Sequence, residues 1–529
     1  IEDNSSISEF EKNKLKWNEF NKLMKADNGK LSILDNIAIQ SIPKDSTLLK
    51  MWESGAKGNP TQLRQIVGAP TFFSASRGDI LKPVVNSFAH GLTPAEYYIQ
   101  QTGGRFGLIQ KVIGVSEPGD IGKDHLGVIA SKAISEDDCG TTDGIDIPAD
   151  RHDIIGRYAA RNYPGIVNRN ELITEDIARK FKQRNKKVVK VRSPLSCRSK
   201  DGVCAKCYGV KIDGSMPKLG DPVGVEDAQG VIDVIANLAL KSWHLSGGKE
   251  VSDLPFYKYR RLIEMNKNIP NKAILSKEKG IVEKIEPNPL GGIDVYINRH
   301  RYRLPANLGI SKDVKLGRKV DVGQMLTESG NIKPQELLEL KGIRAAQGYI
   351  VDQMADIFKS DSPGNVQRKA LENIVSSITG LARVNDPGDS DYLPYDIGKA
   401  NDMEYFNNNR VLDVNIKDAV GYRLAKSYGI GLPENTEVTE DIVRDLRKRG
   451  QRTVMIKKKK VKYEPILKPA RYIPIYANDW LSRLDHKYLK NTLETEAAFG
   501  GVANIHGPDP VPAFAYGVEF GKGNDPLKY

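Results

Sequence analysis

The stretch VRSPLSCRSKDGVCAKCYG, Val191 to Gly209, holds three of the chain's four cysteines in the spacing C-x6-C-x2-C, and the fourth stands upstream at Cys139. Two thiolates two residues apart can grip one ion while the intervening amides turn toward the sulfurs. Tetrahedral zinc takes four such ligands, and Cys139, Cys197, Cys204 and Cys207 complete that number with none left over. A disulfide framework does not suit an intracellular chain of this size. The reading is a structural Zn2+ site, closed on all sides and therefore a scaffold rather than a centre of chemistry. The competing readings are a redox C-x-x-C pair or buried thiols with no common role.

Around the cysteines the chain repeats itself. Gly156, Ala160, Tyr163, Thr174, Glu175, Asp176, Ile177 and Arg179 recur, at a constant offset of 265 residues, as Gly421, Ala425, Tyr428, Thr439, Glu440, Asp441, Ile442 and Arg444. Each copy reads as a strand or turn, a helix capped by Thr174 or Thr439, and a basic strand ending near Val191 or Ile456. Two copies are too few for a solenoid, so the reading is a duplicated small domain; chance likeness between two helix-capping segments is the alternative.

Farther out, residues 1–50 have an irregular apolar stripe (Phe10, Leu15, Trp17, Phe20, Leu23) that predicts charged helix. Thr61 to Val67 is a polar helix candidate between glycines and prolines. A helix should start after Thr93, with Thr93 as N-cap, Pro94 at N1 and Glu96 at N3. Residues 273–330 alternate apolar and polar with glycine turns, which predicts a small β-rich module. Lys333 to Ala382 returns to helical period. At 529 residues several domains are expected. The fold class is multidomain α+β, with segments at 1–53, 54–135, 136–215, 216–250, 251–332, 333–419, 420–470 and 471–529.

The net charge of +12 favours a polyanionic partner, since lysines and arginines that neutralise phosphates release counterions. The tract Lys457 to Lys460 is by itself read as a solvated strand or loop. No apolar run approaches the roughly 18 residues that span a bilayer, and no signal peptide precedes Ile1, so no membrane partner and an intracellular location are expected.

Asn237, Leu240, Lys241 and His244 fall at i, i+3, i+4 and i+7, one face of a helix. A hydrophobe, a permanent cation and an imidazole on one face suit a nucleoside triphosphate. Leu240 would pack on the base, Lys241 would neutralise phosphate oxygens, and His244 would stabilise or protonate the leaving pyrophosphate. Gly247 and Gly248 would supply a hinge. The plainer alternative is a helix with one polar face and an incidental histidine.

Several stretches, in order, resemble the β′ subunit of multisubunit DNA-dependent RNA polymerase. SGAKGNPTQLRQIVG (Ser54 to Gly68) is similar to the segment before the family's bridge helix, and FAHGLTPAEYYIQQTGGRFGL (Phe88 to Leu108) to the start of that helix. EDDCGT (Glu136 to Thr141) and the cysteine-rich stretch resemble its second zinc site. GDPVGVEDAQGVIDVIANLALKSWHLSGG (Gly220 to Gly248) looks like its trigger loop, and GRKVDVGQMLTESGNIKPQELLELKG followed by VNDPGDSD like its jaw and downstream region. The resemblance runs from about residue 50 to Asp391 and returns near Thr495 to Gly500.

The resemblance implies catalytic roles for His244, Lys241, Leu240 and Asn237 and nucleic-acid contacts for Arg64, Arg105, Val115 and Ser116. Lys241 stands where the family has arginine, and Ile232 to Ile235 replace its Gly-Glu-Pro-Gly. Gly114, Pro118 and Gly119 interrupt the expected bridge helix, and Pro118 favours a kink there. No D-x-D-x-D loop occurs. Asp386, Asp389 and Asp391 imitate one but are expected to shape a turn. The expectation is a carboxy-terminal half of a split subunit, inactive alone, with Mg2+ held by a partner. Its partners would be the N-terminal half of the β′-type subunit, β-type subunits, DNA template, RNA transcript and nucleoside triphosphates. The divergent trigger segment and the short passage from Gly248 to Lys333 point to giant bacteriophages, hence to host cytoplasm or a virion. The alternative is a zinc-stapled basic scaffold that binds nucleic acid or partner proteins without catalytic residues.

Overall fold

The computed structural model describes residues 31–73, 81–113, 116–244, 255–265, 268–288, 291–306, 308–361, 366–477 and 489–501, with isolated positions before residue 31 and at 483. The chain divides into two compact units, residues 1–121 with 233–260 and residues 122–232 with 261–529. The fold is multidomain α+β, built of helices and several small sheets.

In the first unit, α1 (Ile33–Gln40), α2 (Thr47–Glu53) and α3 (Pro60–Val67) each begin at a capping side chain. Ser32, Ser46 and Asn59 accept from the amides of Asp35, Leu48 and Gln62. Their apolar sides meet around Ile42, Leu49 and Leu63. The next helix, α4 (Pro94–Ile113), starts as the sequence predicts. Thr93 Oγ1 accepts from the Glu96 amide at 3.3 Å while the Glu96 carboxylate accepts from the Thr93 amide at 3.0 Å, a reciprocal capping box. Gly103 passes so close to the Phe73 ring that a Cβ there would meet it at 2.8 Å. α5 (Ser116–Ile129) follows. Pro118 is buried in α5, close to the break in the described residues. Residues 114 and 115 lie outside the described residues.

The second unit opens with β1 (Ile134–Glu136) and the first repeat copy: β2 (Ile145–Pro148), α6 (Glu175–Gln183) and β3 (Val188–Val191). β2 and β3 pair antiparallel, and Ile147, Ile154, Phe181, Val189 and Val191 form the core beneath them. β4 (Val203–Cys204) and α7 (Ala205–Tyr208) come next; α8 (Val223–His244) begins in this unit and ends in the first, and α9 (Pro255–Glu264) begins in the first and ends in this one. The predicted β-rich stretch is an antiparallel sheet of β5 (Gly280–Pro287), β6 (Ile293–Ile297), β7 (His300–Leu304) and β8 (Lys319–Val320), in the order β7-β6-β5-β8. Helices return as α10 (Pro334–Lys341), α11 (Ile343–Asp361) and the largely buried α12 (Arg368–Ile378).

β9 (Leu381–Asp386), β10 (Ile397–Lys399) and α13 (Ala400–Asn408) lead into the second repeat copy: β11 (Val411–Asn415), β12 (Arg423–Leu424), α14 (Glu440–Lys448) and β13 (Thr453–Lys457). β14 (Lys462–Pro465) then pairs with β9, and α15 (Leu489–Phe499) lies near the C-terminus. The two copies share unusual local bonds. Lys190 and Met455 donate their amides to the hydroxyls of Tyr163 and Tyr428, each at 2.6 Å. Asn170 and Asn435 both take left-handed backbone, at φ 65° and 68°. Asp386 and Asp389 accept from the amides of Gly388 and Lys459, so DPGDSD shapes a turn. Among the described residues no helix is long and apolar enough to cross a membrane.

Candidate functional site

Strand pairing assembles the cysteine centre. β1 and β4 run parallel, with Ile134 opposite Val203, which brings the loop carrying Cys139 beside Cys204. The close approach depends on Gly202, at φ +70°, where a Cβ would lie 2.2 Å from the Ala133 carbonyl oxygen. The sulfurs of Cys139, Cys197, Cys204 and Cys207 all lie within 4.8 Å of one another, and Cys139 and Cys207 are 3.7 Å apart. An ion about 2.3 Å from four tetrahedral thiolates would space them by roughly 3.8 Å. The amides of Cys204 and Cys207 donate at 3.3 Å to the sulfurs of Cys197 and Cys204, and the Arg198 amide donates at 3.5 Å to Cys139. Four convergent sulfurs with N–H donors turned on them fit a metal ion.

Arg192 completes the centre, and sequence reasoning missed it. It is fully buried. Its Nη2 lies 3.4 Å from the sulfurs of Cys139 and Cys204 and 3.3 Å from that of Cys207, while Nη1 donates to Asp138 at 2.6 Å and Asn170 at 3.0 Å. The one signal was an arginine directly after the apolar run of β3. Hydrogen bonds from the other three thiols, Cys197 first, hold Cys139 far below the ordinary thiol range. The same bonding to Cys139 pushes Cys204 and Cys207 up. Protons alone thus leave the cluster with an uneven charge, whereas a divalent ion favours thiolate at every position.

α8 is one continuous helix of 22 residues, so Asn237, Leu240, Lys241 and His244 occupy its last two turns at helical spacing. Asn237 is exposed; the side chains of Leu240, Lys241 and His244, and the proposed hinge at Gly247 and Gly248, lie outside the described residues. The start of α8 is anchored. A Cβ at Gly224 would lie 2.0 Å from the Ile129 carbonyl oxygen, so only glycine permits this approach. Three residues on, buried Asp227 accepts from Tyr208 Oη at 2.9 Å and Asn373 Nδ2 at 2.6 Å. Burial pushes its carboxyl up to about 6. Val234 and Ile235 are buried within the same helix.

The structure describes three of the four nucleic-acid candidates, Arg64, Arg105 and Ser116. Arg64 is buried, with Nε donating to Asp35 at 2.8 Å and Nη1 donating to the Ala69 carbonyl at 2.7 Å. Its guanidinium closes the loop after α3. Arg105 is exposed on α4 and Ser116 is exposed at the start of α5, while Val115 lies outside the described residues.

No family model matches the chain. Over 410 residues, 73% of its length, it is 30% identical to the DNA-directed RNA polymerase subunit β′ of Caldicellulosiruptor saccharolyticus. The chain is a homologue of the RNA polymerase β′ subunit. The β′ subunit of Natranaerobius thermophilus is 30% identical over 69% of the chain, and that of Halalkalibacterium halodurans 29% identical over 74%. These alignments take in 34%, 31% and 34% of the relatives, so the β′ homologue spans about a third of the length of the curated relatives it matches.

Proposed function

We propose that the chain is the carboxy-terminal half of a split β′-type subunit of a DNA-dependent RNA polymerase of the giant-bacteriophage kind. The observation that carries this reading is the 30% identity to β′ subunits over 410 residues, together with a continuous α8 where the trigger-loop resemblance falls. In this reading α4 and α5 form the bridge-helix region, with Arg105, Val115 and Ser116 toward nucleic acid and Arg64 fixing the loop before them. α8 delivers Leu240, Lys241 and His244 to the incoming nucleoside triphosphate, and Asn237 sits one turn behind them. In this reading the carboxylates for catalytic Mg2+ come from another subunit, in keeping with the lack of a D-x-D-x-D loop in the sequence. Zinc held by Cys139, Cys197, Cys204 and Cys207 staples the first repeat copy to the segment that leads into α8.

The test is reconstitution. The chain alone is expected to make no RNA, and a copurifying subunit that carries a D-x-D-x-D loop is expected to restore templated synthesis. Synthesis by the verified-pure chain would overturn the split-subunit reading. A purified complex without any D-x-D-x-D subunit would leave the basic scaffold ahead.

A further inference from the structure

The second unit holds a cavity of about 540 Å³. One wall is the loop that runs from Pro194 to Gly202. The others come from the end of α5 and the turn after it, the starts of α11 and α13, the end of α12 and the 3-10 stretch Ala470–Tyr476. Side-chain bonds brace these walls: Asn401 Nδ2 donates to the Ser199 carbonyl at 2.9 Å, and Gln347 Nε2 donates to Thr379 Oγ1 at 2.8 Å. A cleft of this volume suits a small organic ligand.

Five cations and three acids line the cavity. Two of the acids are spoken for: Glu404 pairs with Arg198 and Asp143 with Arg344, each at 3.2 Å, and Asp143 also meets Lys190 at 3.7 Å. That leaves Lys132, Lys200 and Lys399 against Asp201, a surplus of two positive charges. Lys200 lies over the Tyr405 ring at 5.5 Å. Lys132 Nζ donates only to neutral oxygens, the Asn373 carbonyl and Ser377 Oγ at 3.3 Å and Ser376 Oγ at closer range. Half-buried Lys399 has no side-chain hydrogen bond or ion pair among the described residues. Cys197 borders the cavity as well, with its sulfur turned toward the other three cysteines. It and Asp227 attract the Lys132 charge from a distance, while Lys399 repels it.

Two ammoniums that repel each other at one cavity are relieved by an anion between them. A carboxylate would balance one of the two surplus charges. A phosphomonoester carries about −1.5 to −2 at pH 7 and brings three acceptor oxygens, so it balances both. The rest of the lining is of another kind. Tyr463 of β14 and Ile473, Pro474 and Tyr476 of the 3-10 stretch add apolar surface, which a bare phosphate ion would leave in water.

We infer that this cavity binds a small phosphomonoester with an apolar body, its phosphate held by Lys132 and Lys399 and its body packed on Tyr463 and Ile473. The inference rests on the cavity alone and not on the polymerase reading.

The probe is 4-methylumbelliferyl phosphate, an aromatic phosphomonoester, in equilibrium dialysis against the full chain. One saturable site per chain is expected. The sulfate ester of the same fluorophore carries a single charge, and inorganic phosphate lacks the body; each should bind about 10-fold more weakly. Lys132 also ties the turn after α5 to α12, so Lys399 is the safer position to change. Lys399→Gln, checked for an unchanged melting curve, should weaken the probe about 10-fold, and Lys399→Arg should bind close to wild type. Absence of saturable binding, or wild-type affinity in the folded glutamine variant, would overturn the inference. Equal affinity for the sulfate ester would remove the case for a dianion, and equal affinity for inorganic phosphate would reduce the cavity to a site for a free ion. The dialysis uses neither template nor nucleotide, so its failure leaves the polymerase reading standing, and failed reconstitution leaves this one.

Discussion

Arg157 and Glu372 form a two-pronged ion pair across 215 residues of sequence, with Nη1 2.5 Å from Oε2 and Nη2 3.0 Å from Oε1. Both are buried, Glu372 completely. Ser193 Oγ donates to the same carboxylate at 2.7 Å, and Arg368 Nε lies 3.2 Å from it. The pair ties the first repeat copy to α12. The second copy has Tyr422 where the first has Arg157, so it lacks this tie. Glu372→Gln should cost about 3–5 kcal/mol, because it leaves the Arg157 guanidinium buried without its counter-charge. Arg157→Met with Glu372→Gln should cost less than Arg157→Met and Glu372→Gln summed, since neither partner is then left buried against a missing one. Denaturant unfolding of the three variants gives the cycle, and additive losses would show that the pair is not coupled.

Metal analysis should find one zinc per chain. Cys204→Ser or Cys207→Ser should lose it together with folding or assembly, because a closed thiolate site is part of the folded state. Arg192→Gln should keep the four ligands and release zinc to a chromogenic chelator about 10-fold faster, since N–H donors from the outer shell hold ligands in place. Freshly purified, active complex without zinc would refute the site.

Much of this was legible in the sequence because it is local. Thr93 and Glu96 sit three residues apart, and Thr174 and Thr439 precede amphipathic helices, so the caps follow from spacing alone. Cys204 and Cys207 announce a metal by their interval. The fit of Cys139 required an assumption that all four cysteines converge, and β1 beside β4 is what brings them together. Arg192 and Glu372 were not legible, for their meaning lies in partners far along the chain. Arg64, expected to contact nucleic acid, is buried and donates to Asp35 and to loop carbonyls. A charge written in sequence does not say whether it faces solvent.

Glu96 supplies a pH test. Burial alone would raise its carboxyl, but bonds from the Thr93 and Asn86 amides, the Asn86 side chain and the Val85 amide outweigh it and hold the pKa down to about 2. The folded value lies below the unfolded one of about 4.3. The stabilisation is therefore complete above that value and is lost as pH falls from about 4 toward 2. Glu96→Gln should cost on the order of 1–2 kcal/mol at pH 7, from the lost charge on the carboxylate's several amide bonds, since glutamine can keep the capping bond itself. Melting curves at pH 7 and pH 3 should show the gap between variant and wild type narrowing in acid. A gap that widens at pH 3 would reverse the sign.

The last prediction concerns the end of α8. If Leu240, Lys241 and His244 close over the nucleotide, their contacts tighten in the transition state, so truncation should slow addition more than it disturbs assembly. His244→Ala removes a positioned donor and should cost on the order of 10- to 1000-fold in nucleotide addition. Lys241→Ala should mainly raise the nucleotide concentration required, because the lysine meets phosphate as a point charge. Lys241→Arg should be tolerated or improved, since the guanidinium adds a fork that fits phosphate oxygens. Leu240→Ala should loosen packing on the base and lower fidelity. Single-nucleotide extension by reconstituted complex on a preformed scaffold separates these effects from promoter recognition. Asp227 offers a control at the other end of the same helix: buried with Tyr208 and Asn373, it should affect stability when changed to alanine without shifting the nucleotide requirement. Wild-type extension by both His244→Ala and Lys241→Ala would show that α8 does not close on substrate.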